Sequence, residues 1–268
     1  MKGRVLIVAG SDSGGGAGIQ ADIKTVTCLG GYAMTAITAL TAQNTCGVYG
    51  VSGVDPEFIK QQMRVVLDDI GADCIKTGML HDDATIEAVS EVLAEVPDIP
   101  VVVDPVMVAQ SGASLLDPDS VRTLNRVLMP HAALITPNLP EAERLSGMEI
   151  RNEQDLDHAA HTLMTIGVPA ALVKGGHLKS ETTTDVLAMP GDIHVFESPR
   201  INTTNNHGTG CTLASGIAAS LAQGHDMLGS VERARAYLQA AMKTAPGYGR
   251  GNGPLNHAVT VQEFDPEF

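Results

Sequence analysis

Asn206-His207-Gly208-Thr209-Gly210-Cys211 combines backbone freedom with an imidazole and a thiol. A small-residue run, Leu213-Ala214-Ser215-Gly216-Ile217-Ala218-Ala219, follows it and reads as a buried helix. Successive N–H groups at such a helix start, aided by the helix dipole, form an anion site. The glycines let a phosphate approach the backbone closely. An ordinary loop leading into a buried helix fits the same six residues. A second glycine cluster, Gly10-Ser-Asp-Ser-Gly14-Gly15-Gly16-Ala-Gly18, lies between a predicted strand and a predicted helix. No Lys-Ser or Lys-Thr ends it, so it is not a Walker A loop. Its glycines do not fit G-x-G-x-x-G, and no acidic residue closes a second strand about 20 residues on. A tight turn is its plainer reading. Its place still matters, because ligands of open parallel sheets sit at the carboxyl ends of strands. Gly10, Asp104 and Thr136 all fall at predicted strand ends and are candidates to meet in one cleft.

The elements that would position these residues alternate along the chain. Val5-Leu6-Ile7-Val8-Ala9 is a continuous apolar run, as in a buried parallel strand. Helix is expected from about Ala17 to Leu29, strand from Ala33 to Leu40, and a helix opened by Asp55-Pro56-Glu57. Strand follows at Asp73 to Thr77, helix at Asp83 to Ala94, and strand at Pro100 to Asp104. Asp117-Pro118 is the expected cap of the next helix. Further strands are expected at Ala132 to Thr136 and Ala170 to Lys174, with helices near Pro140 to Leu145 and Glu153 to Ile166. Thr184 to Ala188 and Ile193 to Glu197 flank Met189-Pro190-Gly191-Asp192 and read as an antiparallel hairpin. Two helices finish the chain, about Thr209 to Ala222 and Met227 to Thr244. The expectation is α/β: one domain over residues 1–268, a mostly parallel sheet with helices on both faces, and a late antiparallel hairpin.

Composition narrows the partners. The chain has 268 residues, 44% of them hydrophobic, and a formal net charge of −14. Proteins that grip nucleic-acid backbones are usually basic, so no nucleic acid is expected. A single nucleotide is still admissible, because local N–H groups and a few cations hold it. No stretch approaches the ~18 apolar residues of a membrane helix, so no membrane partner is expected. Met1 to Gly10 holds only a short apolar run, with no secretory pattern. A cytoplasmic protein with reduced thiols is the expectation. Cys28, Cys46, Cys74 and Cys211 show no C-x-x-C pairing, so structural zinc is not expected, and the first three read as structural. His158 and His161 have ligand spacing but no third partner, and read as surface residues. With four Tyr, four Phe and no Trp, aliphatic, Met and polar groups must hold any ligand ring.

Seven segments together resemble the ribokinase-like superfamily, and within it the hydroxymethylpyrimidine/phosphomethylpyrimidine kinases of thiamine biosynthesis. They are Ala9 to Asp22, Thr41-Ala-Gln-Asn-Thr45, Lys76-Thr-Gly-Met-Leu80, Val103-Asp-Pro-Val-Met107, Thr136 to Glu143, Val173-Lys-Gly-Gly-His177 and His207 to Cys211. They run in order through nearly the whole chain. The resemblance implies a three-layer sandwich and two ATP-dependent phosphorylations. The first converts 4-amino-5-hydroxymethyl-2-methylpyrimidine to its monophosphate, and the second makes the diphosphate. It also suggests a homodimer. A pyridoxal or pyridoxine kinase of the same branch is the alternative, and a non-catalytic sensor of thiamine precursors the remote one.

The resemblance carries roles residue by residue. Cys211 stands where sugar kinases have Asp, and is expected to be the base, its thiol pKa lowered by the helix start. Gly208, Thr209 and Gly210 would form the anion hole. Lys174 would contact the ATP phosphates, with His207, Gly208 and Gly210 also near the nucleotide. Glu141, in Asn138-x-x-Glu141, and Asp104 are the expected Mg2+ residues; magnesium commonly keeps several waters and takes one or two carboxylates. Asp22 and Gln43 are the candidate pyrimidine readers, since an amide matches the donor and acceptor of an aminopyrimidine edge. Gly10 would add a backbone contact and Met79 would pack on the ring. The stretches Val108 to Ser114 and Gly175 to Thr184 are candidates to close over ligand.

Overall fold

A computed structural model describes residues 1–108, 112, 115–116, 120–176 and 180–262. Alternation along the first strand sets the layers. In β1 (Arg4–Asp12), Leu6 and Val8 enter one core while Val5 and Ile7 enter another, because successive side chains of a strand point to opposite faces. All four are fully buried.

Among the described residues, nine strands form one sheet in the order β3-β2-β1-β4-β5-β6-β7-β8-β9. They are β2 (Tyr32–Asn44), β3 (Gly47–Gly53), β4 (Cys74–Thr77), β5 (Val101–Val103), β6 (Leu134–Ile135), β7 (Ala171–Lys174), β8 (Thr182–Met189) and β9 (Asp192–Pro199). The run from β2 through β1 to β7 is parallel. The late hairpin β8–β9 turns as expected. A second antiparallel hairpin, β2–β3, was not expected. In Gly47-Val-Tyr-Gly-Val-Ser-Gly53 three glycines offset the strand preference of Val48, Tyr49 and Val51, and the largely exposed segment becomes a strand through its pairing to β2.

One face carries α2 (Pro56–Asp69), α3 (Asp83–Glu95), α5 (Leu139–Ser146) and α6 (Glu153–Thr165), with the short α4 (Ser120–Thr123) nearby. The other carries α1 (Gly18–Cys28), α7 (Thr209–Ala222) and α8 (Met227–Lys243). Asp55 caps α2 by accepting from Glu57 N and Phe58 N, with Pro56 as its first residue. The small residues of α7 bring α8 close: a Cβ on Gly216 would stand 2.9 Å from Ala234 Cβ. Asp117-Pro118 lies outside the described residues, as do His177 and parts of the two stretches expected to close over ligand.

Candidate active site

The C-terminal ends of the parallel strands open into a cavity of about 500 Å³. Gly10, Gln43, Met79, Asp104 and Lys174 reach it from strand ends, Glu141 from α5, and His207 to Cys211 from the start of α7. Thr136 approaches it indirectly, donating to Asp104 Oδ1 at 3.2 Å.

The start of α7 is built for an anion. Gly208 is its N-cap with φ 86°, and no side chain caps the helix. Thr209 N donates to the Asn206 carbonyl at 3.4 Å, and the N–H groups of Gly210 and Cys211 point to an anion site. A Cβ on Gly208 would run into the Gly16 carbonyl, so the two glycine clusters pack against each other. On Gly210 it would stand 3.3 Å from Lys174 Nζ and 3.5 Å from Asp104 Oδ2. Glycine there keeps space between the helix start and the ion pair.

Asp12 organises the other glycine cluster. Its Oδ2 accepts from Gly16 N and Ala17 N, and its Oδ1 from Gly14 N. His207 Nε2 lies 2.9 Å from Asp12 Oδ2. Burial opposes the Asp12 carboxylate, but His207 and the amides of Ala17 and Gly14 outweigh it and lower its pKa. His207 Nε2 also lies 3.1 Å from Gln43 Nε2, and Thr41 donates to Gln43 Oε1 at 3.3 Å. A register shift in the β2–β3 pairing falls between Ala42 and Gln43. Such irregularities re-aim side chains. Gly10 leaves room for Met79: a Cβ at Gly10 would come within 3.1 Å of its sulfur.

Lys174 Nζ donates to Asp104 Oδ1 at 3.2 Å. Burial opposes the Lys174 charge, yet Asp104 and Glu141 raise its pKa. Glu141 belongs to a reciprocal cap: Asn138 Oδ1 accepts from Glu141 N, and Glu141 Oε2 accepts from Asn138 N. Burial, with Asp104 nearby, pushes the Glu141 carboxyl up to about 7 against the pull of Lys174.

Two expectations change. Asp22 does not line the cavity; it is fully buried on the core-facing stripe of α1 with Ile19 and Val26. It accepts from Lys76 Nζ at 2.8 Å and from Ser215 Oγ at 2.6 Å, one bond to each carboxylate oxygen. Fully buried, it presents no edge to a ligand. Cys211 does line the cavity, but its thiol is not held low. Burial pushes it up to about 12, and Lys76 only partly offsets this. Burial is the largest cause, and the Asp22 and Asp104 carboxylates add to the rise.

Lys76 and Asp12 escaped the sequence reading. Each had a signal. Lys76 is a cation inside the buried strand Cys74-Ile-Lys-Thr77, and Asp12 stands between Gly10 and Gly14. His158 and His161 are exposed on α6, and no metal-holding cluster of three or more His, Cys, Asp or Glu exists among the described residues. Cys74 is buried as a structural residue should be, whereas Cys46 is exposed.

A three-layer α/β sandwich with a glycine-built helix start and a lysine–aspartate pair at its strand ends defines a ribokinase-like small-molecule kinase. Within that class, the chain belongs to the phosphomethylpyrimidine kinase family, which it matches over residues 12–256. It is 50% identical over 262 residues to the thiamine biosynthesis bifunctional protein ThiED of Geobacter sulfurreducens, covering 98% of this chain and 54% of that protein. The chain thus spans about half the length of that relative. It is 44% identical to the hydroxymethylpyrimidine/phosphomethylpyrimidine kinase of Bacillus subtilis, covering 95% of this chain and 94% of that one. Among solved structures it resembles an ADP complex of Bacillus subtilis pyridoxal kinase, with TM-score 0.90, 36% identity and coverage of 97% and 98% of the two chains. It also resembles phosphomethylpyrimidine kinase of Clostridium difficile 630, with TM-score 0.80, 39% identity and coverage of 89% and 98%. No helix among the described residues is long and apolar enough to cross a membrane.

Proposed function

We propose that this kinase uses ATP to phosphorylate 4-amino-5-hydroxymethyl-2-methylpyrimidine and then its monophosphate, supplying the diphosphate to thiamine diphosphate biosynthesis. The observation that carries this is the cavity itself. Gln43, Met79 and Cys211 line it together, and the Lys174–Asp104 pair stands against Gly210 at the helix start. Phosphoryl transfer is largely positioning plus charge stabilisation, and both are provided for.

Gln43, steadied by Thr41, reads the aminopyrimidine edge, and Met79 covers the ring. The N–H groups of Gly208 to Cys211 and the Lys174 ammonium hold the phosphates and take up charge on the moving phosphoryl group. Cys211 is the base in this reading: its thiolate, the form that burial disfavours, accepts the hydroxyl proton. The acceptor oxygen bonds to the γ-phosphorus as the bond to the bridging oxygen breaks, and ADP leaves with that electron pair. The monophosphate is already ionised, so the second transfer needs no such base.

The residues present fit Mg2+. Asp104 and Glu141 are both nearly buried beside one ammonium, and their mutual repulsion helps to raise the Glu141 carboxyl. That leaves room for added positive charge. Asp104 and Glu141 would hold the ion, which when bound offsets the charge of the triphosphate.

We read the chain as one kinase unit on one sheet, and as a homodimer. The exposed Tyr49 and Val51 of the edge strand β3 support self-association. Light scattering of the purified protein tests it. Four free cysteines support a cytoplasmic setting. An ATP-dependent turnover assay with the pyrimidine alcohol and its monophosphate, read by phosphate count on the product, tests the main reading. No ATP consumption above background with either acceptor rejects it. A pyridoxal kinase is the second reading, favoured by the 0.90 TM-score to that enzyme of Bacillus subtilis. Competition between the two acceptors for one site ranks them.

A further inference from the structure

Lys76 is the largest fully buried side chain of the protein's described residues, and it is a cation. The proposed mechanism gives it no task. Burying an ammonium costs several kcal/mol unless it is paired and hydrogen-bonded. A methionine or leucine would fill the same strand position without that cost. Its placement argues for a use.

The geometry runs through α7. Ser215 stands one helical turn after Cys211, and residues four apart lie over one another on a helix face. Ser215 Oγ donates to Asp22 Oδ1, and Lys76 Nζ donates to Asp22 Oδ2 at 2.8 Å. Behind Lys76, a Cβ on Gly78 would stand 3.0 Å from Nζ, so the strand leaves the ammonium just enough space. The cation is thereby fixed beneath the face that carries Cys211, and both residues border the cavity.

We propose that Lys76 is a positioning residue for the first phosphorylation: its ammonium, anchored by Asp22 and Ser215, supplies the fixed positive charge that stabilises the Cys211 thiolate. This rests on the reading of Cys211 as base. Other charged groups face the same region. Asp22 comes from α1, Asp104 follows β5, Lys174 ends β7 and Glu141 comes from α5. The carboxylates Asp22 and Asp104 disfavour a thiolate, and Lys76 favours it. Burial opposes the Lys76 charge, but Asp22, Cys211 and Asp104 together outweigh burial and hold it protonated. The proton balance is simple. The thiolate takes the hydroxyl proton as the new O–P bond forms, and the resulting thiol returns it to solvent after product leaves.

The anchor allows a test with opposite signs. Asp22→Asn removes the carboxylate that competes for the ammonium, so the Cys211 thiolate becomes the counterion that keeps Lys76 charged, which favours the thiolate. The double variant Lys76→Met with Asp22→Leu removes cation and anion together and leaves neither buried alone. The alkylation rate of Cys211 by a small thiol reagent is followed against pH, with peptide mass spectrometry to isolate this cysteine. The expected displacement is about one pH unit, toward lower pH for Asp22→Asn and toward higher pH for the double variant. The double variant should also lose about tenfold more kcat with the alcohol than with the monophosphate. A merely structural pair would slow both acceptors alike and would not move alkylation in opposite senses. Displacements of the same sign, or none, overturn the proposal. Should the double variant not fold, Asp22→Asn alone decides by its sign. Cys211→Ala separates the two readings. If it leaves the alcohol step intact, the base assignment fails. If it abolishes that step while alkylation of the Asp22 variant is unmoved, the base assignment stands and the role of Lys76 fails.

Discussion

Two lysines of the same sheet, Lys76 on β4 and Lys174 on β7, each pair with an aspartate, and their surroundings make the pairs different devices. Lys76 and Asp22 are sealed, with both side chains at 0% exposure. Lys174 and Asp104 stand at the cavity wall, with Lys174 still 15% exposed. In the sealed pair every carboxylate oxygen is taken, one by Lys76 and one by Ser215. In the open pair Thr136 and Lys174 share a single oxygen of Asp104, which leaves Oδ2 toward the helix start. Burial raises what each charge costs and what it can do to a neighbour. The sealed pair therefore holds structure and field, whereas the open pair remains free to meet a ligand.

The largest effect should come from breaking the sealed pair. Lys76→Met alone leaves the Asp22 carboxylate buried without its partner and should cost about 3–5 kcal/mol of stability. Urea unfolding measures it, and wild-type stability would dissolve the contrast between the pairs. Lys174→Met should do the reverse. A fall in kcat of about 10²–10³ on both acceptors is expected, with a smaller change in the unfolding midpoint than Lys76→Met causes. Steady-state assays beside unfolding curves test this, and a larger loss of stability than of rate would contradict it. Cys211→Ala, between the pairs, should lower the alcohol step by about 10² and the phosphate step by less. Equal losses would assign Cys211 a structural or electrostatic role. The smallest effect concerns the support of the open site. Asn138→Ala removes the cap of α5 and should cost about 1 kcal/mol. Because the same cap orients Glu141, the Mg2+ concentration for half-maximal rate should also rise. An unchanged magnesium dependence would separate Glu141 from the ion.

Much of the open site was legible because its signals are local. Asn138-x-x-Glu141, taken in the sequence as a magnesium pattern, is also a capping box within one helical turn, and the structure shows both of its hydrogen bonds. Gly10, Asp104 and Lys174 end apolar runs, and parallel strands end where ligands sit. The sealed pair was not legible, because its partners are 54 residues apart and come from different layers. Asp22, expected as a pyrimidine reader, becomes core only once α1 is docked and its position beside Ile19 and Val26 is buried. The β2–β3 hairpin hid for a related reason. Its glycines and serine suit a loop, and only the hydrogen bonds of β2 make it a strand. The thiol of Cys211 shows the limit of a local rule. A helix start favours a thiolate, but how much water the sulfur keeps decides the outcome.

By itself, then, the sequence determined the alternation of strands and helices, the glycine-lined start of α7, and the strand-end residues that meet in the cavity. Periodicity, capping and backbone freedom are properties of neighbouring residues. Only the tertiary structure decided which aspartate meets substrate and which is sealed against Lys76. Burial, pairing distance and desolvation belong to groups brought together from far along the chain, and those quantities set whether a charge binds, supports or tunes.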